Sequence, residues 1–176
     1  HYIVGNFYKY SAFQRSKAFT YKYWNYVVSN YNDNCAIQFL KNKVQFNTLF
    51  KDYIGRDWLY SKSMTKDEFE QFCMKKKKAI IKPMNGLEGE GVELIELPGC
   101  DNKFEIAKVY QELQNKDLLI EEVIVQHPLM VFGNSSVNTI RVYTVMNSKA
   151  VSIIKTVVRA GVGDSIVDNS HSGGCA

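Results

Sequence analysis

A glycine-rich segment, Asn85–Gly91, is the part of the sequence best suited to approach a phosphate group, through Gly86, Gly89 and Gly91. Glycine permits positive φ and a close approach of backbone to ligand, and successive N–H groups in such a turn can form a concave anion site. Lys82 precedes this segment, and Pro83 favours an extended backbone there, so the lysine would add a positive charge to the neutral amides. A plain hairpin turn explains the same glycines equally well, because the spacing matches neither a P-loop nor the dinucleotide-binding fingerprint.

Three cations lie on two strands that are predicted near the end of the chain, at 136–146 and 150–160. Arg141 is on the first strand, and Lys155 and Arg159 share one face of the second. An odd-numbered connecting loop would put Arg141 directly opposite Lys155, and like charges at opposed positions are destabilising. A bound polyphosphate, the carboxylates of Asp164 and Asp168, or a solvated outer face could each offset that repulsion, and the sequence leaves these options open.

The elements that would position these residues follow from periodicity and capping signals. Thr65 and Glu68 have the spacing of a capping box at the start of a helix, and the lysines at 75–78 are predicted to be its solvated end. Glu121 and Glu122 interrupt an apolar strand and must point to its opposite faces. The patterns predict helices at 11–28, 35–53 and 104–114, strands at 79–84, 92–97 and 118–125, and a loop at 161–176.

The first 32 residues have an unusual composition, with the cations Lys9, Arg15, Lys17 and Lys22 and no acidic residue. The segment up to Tyr31 also holds eleven of the 23 aromatic residues. Cations interleaved with aromatics can bind a polyanion such as single-stranded nucleic acid. We favour an aromatic helical layer that packs on the body of this chain or on other protein, because no nucleic-acid-binding motif accompanies the pattern, and nucleic acid is not an expected partner.

The overall composition is that of a globular protein of 176 residues with one domain, or two small ones. The four cysteines are widely separated and have no paired spacing, so the sequence predicts no zinc site and no other metal site in this chain. No apolar run is long enough to span a membrane. Free thiols without a secretion signal indicate a cytoplasmic protein.

Taken in order, the motifs resemble the ATP-grasp superfamily, and within it the sugar-transfer-associated family found among bacterial polysaccharide-biosynthesis proteins. The resemblance extends over nearly the whole chain and is carried by Lys43, Ile-Lys82-Pro with the glycine segment, Leu-Ile-Glu121-Glu122-Val-Ile, Val-Asn138-Thr139-Ile-Arg141-Val, Arg159-Ala-Gly, and Val-Asp168-Asn169 with Gly173-Gly174. It implies an α+β ATP-grasp fold. The implied parts are an N-terminal helical region at 1–60, a small antiparallel-sheet lid subdomain at 61–122, and part of a larger antiparallel core sheet at 123–176.

The resemblance also implies roles for particular residues. Lys43 and Lys82 correspond to the lysines that contact the α- and β-phosphates, and Gly86, Gly89 and Gly91 belong to the flap over the phosphates. The segment Glu121, Glu122, Val123 and Ile124 corresponds to the adenine hinge, acting through the Glu121 carboxylate and main-chain groups of Glu122 and Ile124. Gln126 or His127 would lie near the ribose. Arg141 and Arg159 correspond to cations at the terminal phosphate, and Asp168 and Asn169 to the start of the acceptor site.

The implied activity is that of an ATP-dependent carboxylate–amine ligase that acts through an acyl-phosphate, with ATP, a carboxylate and an acceptor as partners. The Mg²⁺ ligands of the family would lie beyond Ala176, so we expect this chain to be part of a longer protein and to lack full turnover by itself. Two alternatives remain open: a sugar phosphotransferase with the same ATP site, and a non-enzymatic module that binds polyanions through its N-terminal segment.

Overall fold

The computed structural model describes residues 6–18, 20–86, 89–133, 135–168 and 174, and these belong to two compact units, 1–46 and 47–176. The described residues form helices and antiparallel sheets, as the predicted α+β class requires. Among them, no helix has the length and apolar character needed to cross a lipid bilayer.

The first unit is helical, with a 3₁₀ turn at Phe7–Lys9 followed by α1 (Ala12–Ser16), α2 (Tyr21–Tyr31), α3 (Asn34–Lys41) and the start of α4 (Lys43–Leu49). The long helices predicted at 11–28 and 35–53 are broken because polar side chains cap new helices inside both ranges. Thr20 accepts a hydrogen bond from the Tyr23 N–H, and Asn42 Oδ1 accepts from the N–H groups of Val44 and Gln45. The 3₁₀ turn and helices α1, α2 and α3 contain no buried residue.

The second unit contains a four-stranded antiparallel sheet in the order β1-β4-β2-β3. Its elements in chain order are α5 (Lys51–Ile54), β1 (Trp58–Tyr60), α6 (Lys66–Lys75), β2 (Lys78–Pro83), β3 (Glu93–Glu96), α7 (Lys103–Gln114) and β4 (Leu118–Glu122). The predicted capping box at Thr65 and Glu68 is confirmed, with both reciprocal hydrogen bonds formed. The edge strand β1 was not predicted, because three residues are too few to show a period.

The two faces of this sheet have different environments. One face packs against α6 and α7 and forms the core, which includes Phe69, Phe72, Ala79, Ile81, Ile106, Leu113, Leu118 and Ile120. Lys82 pairs with Leu119, and Ile80 pairs with Glu121. Because side chains alternate along a strand, Ile80, Lys82, Leu119 and Glu121 lie together on the opposite face of the sheet.

A separate two-stranded sheet is formed by β5 (Thr139–Met146) and β6 (Val151–Arg159). Apolar side chains on both of its faces are exposed, among them Ile140, Val142, Val145, Ile153 and Val158. The strands are joined by a tight turn in which Asn147 Oδ1 accepts hydrogen bonds from the N–H groups of Lys149 and Ala150. Such side-chain bonds to nearby backbone are typical of asparagine at turns.

The register predicted for this hairpin is wrong in one respect: Arg141 lies opposite Val157, and Lys155 lies opposite Tyr143. The connecting loop at 147–150 has an even number of residues, and the pairing then shifts between Tyr143 and Thr144, so that Ile154 is an extra residue in β6. Regular pairing from Met146–Val151 would have put Arg141 opposite Thr156. The bulge moves Arg141, Lys155 and Arg159 onto one face without opposing any two of them directly.

Candidate nucleotide-binding site

The glycine-rich turn connects β2 to β3, and its described part makes a tight approach to Pro83. Gly89 and Gly91 have φ values of 88° and 67°, in the left-handed region that favours glycine. A Cβ atom on Gly91 would lie 2.7 Å from Pro83 Cγ, and the Gly86 N–H donates to the Pro83 carbonyl oxygen at 3.3 Å. Leu87 and Glu88 lie outside the described residues. Glycine at 91 is therefore required by the backbone, whether or not a phosphate binds there.

Lys82 lies on the strand that leads into this turn, and its ammonium group forms an ion pair with Glu121 Oε2. The Glu121 side chain is 3% exposed and the Lys82 side chain 30% exposed. The sequence predicted both as site residues but not that they pair. The lysine is thus held close to the sheet, with part of its side chain accessible to solvent.

Two further side chains complete the environment of Glu121, and neither was predicted from the sequence as a site residue. Arg56 Nη2 lies 2.7 Å from Glu121 Oε1, and Asn47 Nδ2 donates to the same oxygen at 3.3 Å. Asn47 is on α4 and is buried, and Arg56 lies between α5 and β1. A glutamate inside an apolar strand signals that some partner must exist, because an unpaired buried charge is costly. That signal does not say which residues the partners are.

The ionisation of Glu121 follows from these contacts. Burial by itself would raise the pKa of the carboxyl group, but the charges and hydrogen bonds of Lys82 and Arg56 outweigh it, so the pKa is lowered. Glu121 is therefore a carboxylate at neutral pH.

Glu122 has different partners from Glu121, as the alternation of side chains predicted. Its carboxylate forms an ion pair with Lys76 and accepts the Asp57 N–H at 3.1 Å, and Lys76 Nζ also lies 3.2 Å from Asp57 Oδ2. The hydrogen bond from Lys76 lowers the pKa of Glu122, and the same bond raises the pKa of Lys76. Lys76 was predicted to be part of a solvated helix end, but its ion pairs link the end of α6 to β4.

The three cations of the β5–β6 hairpin have unequal environments. Arg159 Nη2 lies 3.1 Å from Asp168 Oδ1, and the Thr139 hydroxyl donates to Asp168 Oδ2. Within the described part of the chain, Arg141 and Lys155 form no ion pair with another residue. Asp168, one of the partners left open by the sequence, thus neutralises Arg159 only.

The remaining predicted site residues lie on α4 and in the chain that follows β4. Lys43 is the first residue of α4 and belongs to the other compact unit. Val123 and Ile124 follow the end of β4, and Ile124 is 46% exposed. Gln126 Oε1 accepts a hydrogen bond from the Asn138 N–H, and His127 Nδ1 accepts one from Leu129 at the start of a 3₁₀ turn, Pro128–Met130. Asn169 lies outside the described residues.

A Mg²⁺ ion would need several oxygen ligands grouped around one position. No group of three or more His, Cys, Asp or Glu side chains that could hold a metal ion occurs among the residues described. The buried carboxylate of Glu121 is already engaged by Lys82 and Arg56. These residues do not fit a dedicated Mg²⁺ centre.

The four-stranded sheet, the glycine turn between β2 and β3, and the half-buried Lys82 together form a candidate nucleotide-binding site. The model of the family described as sugar-transfer associated ATP-grasp matches residues 24–176. The chain therefore belongs to this family, and the resemblance predicted from the sequence is confirmed. Membership implies ATP as a ligand and a role in glycan biosynthesis. Comparisons with curated proteins and with solved structures found no match.

Proposed function

We propose that the chain binds ATP with Lys82 against the phosphates and with the glycine turn as the flap over them. The observation that carries this proposal is the position of Lys82, half-buried on the strand that enters the glycine turn and paired with a buried carboxylate. An ammonium group held in this way is positioned before the ligand arrives, and it can neutralise phosphate charge with little reorganisation. Lys43 is proposed as the second phosphate lysine.

The adenine is proposed to bind along the main chain that follows β4. The Glu122 N–H already donates to the Asp57 carbonyl oxygen at 2.9 Å, so the groups left for a hinge-type contact are the Glu122 carbonyl and the Ile124 N–H. Val123 lies between them. The Glu121 carboxylate is engaged by three side chains, so its contact with adenine would require one of those bonds to be exchanged.

The reaction proposed for the protein is ATP-dependent ligation. A substrate carboxylate attacks the γ-phosphate and ADP leaves; an amine then attacks the acyl-phosphate, giving an amide and free phosphate. This chemistry depends on positioning and on neutralising developing negative charge. Arg141 and Arg159 are proposed to supply that charge at the terminal phosphate, which is supported by their common face on the hairpin. Asn169, with Asp168, is proposed to begin the acceptor site.

The proposed organisation assigns the four-stranded sheet with α6 and α7 to the lid subdomain. The lid subdomain predicted at 61–122 then begins earlier, at β1 (Trp58–Tyr60), because β1 is paired with β4. The hairpin at 139–159 is proposed as part of the core sheet, within 123–176. No step of the proposal is assigned to a metal ion, since the described residues do not fit one.

A second candidate function is polyanion binding by the N-terminal helices. It is favoured by the exposure of their aromatic side chains, for example Phe13 at 68% and Tyr21 at 78%, together with the excess of cations. This candidate predicts salt-sensitive binding of an acidic glycan, which replacement of Lys9, Arg15, Lys17 and Lys22 by glutamine would abolish. The phosphotransferase alternative is distinguished from the ligase by its product, a phosphorylated acceptor instead of an amide and free phosphate.

Titration calorimetry of ATP with the Lys82→Met variant tests the proposed site. A hydrogen bond to a charged group contributes about 1.5–3 kcal/mol, so the affinity should fall by about tenfold or more. Glu121 keeps Arg56 and Asn47 as partners in this variant, so the fold should persist. Lys108→Met is the matched control, because Lys108 is an exposed residue of α7, which packs on the opposite face of the sheet. Equal ATP affinity of wild type and Lys82→Met would refute the proposed site.

A further inference from the structure

The two oxygens of the Glu121 carboxylate have separate partners. Oε2 is paired with Lys82, whereas Oε1 accepts hydrogen bonds from Arg56 Nη2 at 2.7 Å and from Asn47 Nδ2 at 3.3 Å. A single buried carboxylate is thus shared by two cations. If Lys82 moves away from Oε2, Oε1 still has a charged partner and an amide partner.

The contact made by Arg56 is an unusual one for an arginine. Arginine often binds a carboxylate through two parallel hydrogen bonds, which here would occupy both oxygens of Glu121. Arg56 contacts only Oε1, and its Nε is buried with no hydrogen-bond partner among the described residues. This geometry leaves Oε2 to Lys82.

The local chain path explains how Arg56 reaches the carboxylate. α5 ends at Ile54, and Gly55 follows with a φ of 63° in the left-handed region. A left-handed glycine ends the helix and reverses the chain direction. Arg56 then precedes β1, which is paired with β4, the strand that carries Glu121. The side chain of Arg56 is 22% exposed, so most of it is fixed by packing.

We infer that Arg56 is a positioning residue for nucleotide binding, acting through Glu121 to keep Lys82 available for phosphate. The inference rests on the proposed ATP site. With Arg56 present, Lys82 can transfer its hydrogen bond from Glu121 to a phosphate oxygen while the buried carboxylate stays neutralised. Without Arg56, Lys82 would be the only counter-charge of Glu121. The phosphate would then have to compete with the Glu121 carboxylate for Lys82.

A double-mutant cycle on Arg56 and Glu121 tests this coupling. Titration calorimetry would compare wild type, Arg56→Gln, Glu121→Gln and the double variant, with ATP and inorganic tripolyphosphate as the probes. We expect Arg56→Gln to weaken the binding of both probes by about tenfold, a coupling in the usual range for residues in contact. In the Glu121→Gln background the same substitution should change the affinity by less than about twofold.

Two other variants keep the test decisive if Arg56→Gln fails to fold. Glu121→Gln alone removes the competitor for Lys82 and should bind tripolyphosphate at least as tightly as wild type does. Arg56→Lys keeps the charge and should recover most of the affinity. Glu112→Gln, at an exposed position on α7, is the control and should bind both probes as wild type does.

The outcomes separate this inference from the proposed function. Equal losses from Arg56→Gln in the two backgrounds would mean that Arg56 contacts the nucleotide directly, and would overturn the inference. Weaker tripolyphosphate binding by Glu121→Gln, or unchanged binding by a folded Arg56→Gln, would overturn it as well while leaving the ATP site intact. A wild-type chain that binds neither probe, or a Lys82→Met variant that binds both normally, would overturn the proposed site and the inference together.

Discussion

Replacement of Glu121 by glutamine should destabilise the fold and change its dependence on pH. The substitution keeps the size of the side chain and removes the one negative charge between Arg56 and Lys82. Breaking a fully buried pair by removing one partner costs about 3–5 kcal/mol. The two cations here are 22% and 30% exposed, so they can be partly hydrated and repel each other less. We therefore expect a loss of about 2–3 kcal/mol in the free energy of unfolding at pH 7.

The pH dependence follows from the lowered pKa of Glu121. A carboxyl group whose pKa is lower in the folded state than in the unfolded state, where it is near 4.5, stabilises the fold above the unfolded value. That contribution is lost as the pH falls through the folded pKa. The stability difference between wild type and Glu121→Gln should thus be full at pH 7 and should shrink as the pH falls below about 4.5.

Urea denaturation followed by circular dichroism, at several pH values between 7 and 3, measures both effects. Glu112→Gln is the matched control, since Glu112 is exposed on α7 and should contribute within about 0.5 kcal/mol at any of these pH values. A Glu121→Gln variant as stable as this control at pH 7 would refute the reasoning. A stability difference that did not shrink in acid would show that the loss comes from packing and not from charge.

Two further substitutions test the turn and the core by urea denaturation. Gly91→Ala should lower the free energy of unfolding by about 1–2 kcal/mol, because a side chain is strained at φ 67° and its Cβ would meet Pro83. Gly99→Ala is the control and should be nearly neutral, because the added Cβ would have no atom within 4 Å. Equal effects of the two substitutions would contradict the turn geometry. Phe69→Ala should lower the free energy of unfolding by about 3–5 kcal/mol, because Phe69 is 0% exposed in the core. Phe104→Ala is the control: its side chain is 83% exposed, so the change should be about 0.5 kcal/mol or less. A small loss at Phe69 would contradict the core assignment.

The β5–β6 hairpin differs from the four-stranded sheet in having exposed apolar side chains on both of its faces. One face of the four-stranded sheet is covered by α6 and α7, whereas the hairpin has exposed apolar side chains on both faces, such as Ile140 on one face and Val145 on the other. Where exposed apolar side chains form a contiguous patch, that patch is typical of a site that contacts other protein or a ligand. The proposed placement of Arg141 and Arg159 near a phosphate is compatible with such a surface.

Several features of this protein could be predicted from the sequence because they depend on short stretches of chain. The capping box of α6 needs only Thr65 and Glu68, and the glycine turn needs only the backbone freedom of residues such as Gly91. The alternation of Glu121 and Glu122 is likewise a property of any strand. The family was also recognisable, because its motifs occur in order along the chain.

Other features were decided only by the tertiary structure. The partners of Glu121 come from segments 65 and 74 residues away, at Arg56 and Asn47, and no local pattern connects positions so far apart. The common face of Arg141, Lys155 and Arg159 depends on one extra residue in β6, and inserting one residue reverses every side chain beyond it. The sequence by itself therefore determined the local elements and the residue types of the site. Long-range packing and strand register decided which of those residues meet, because these depend on contacts between segments that only the folded chain brings together.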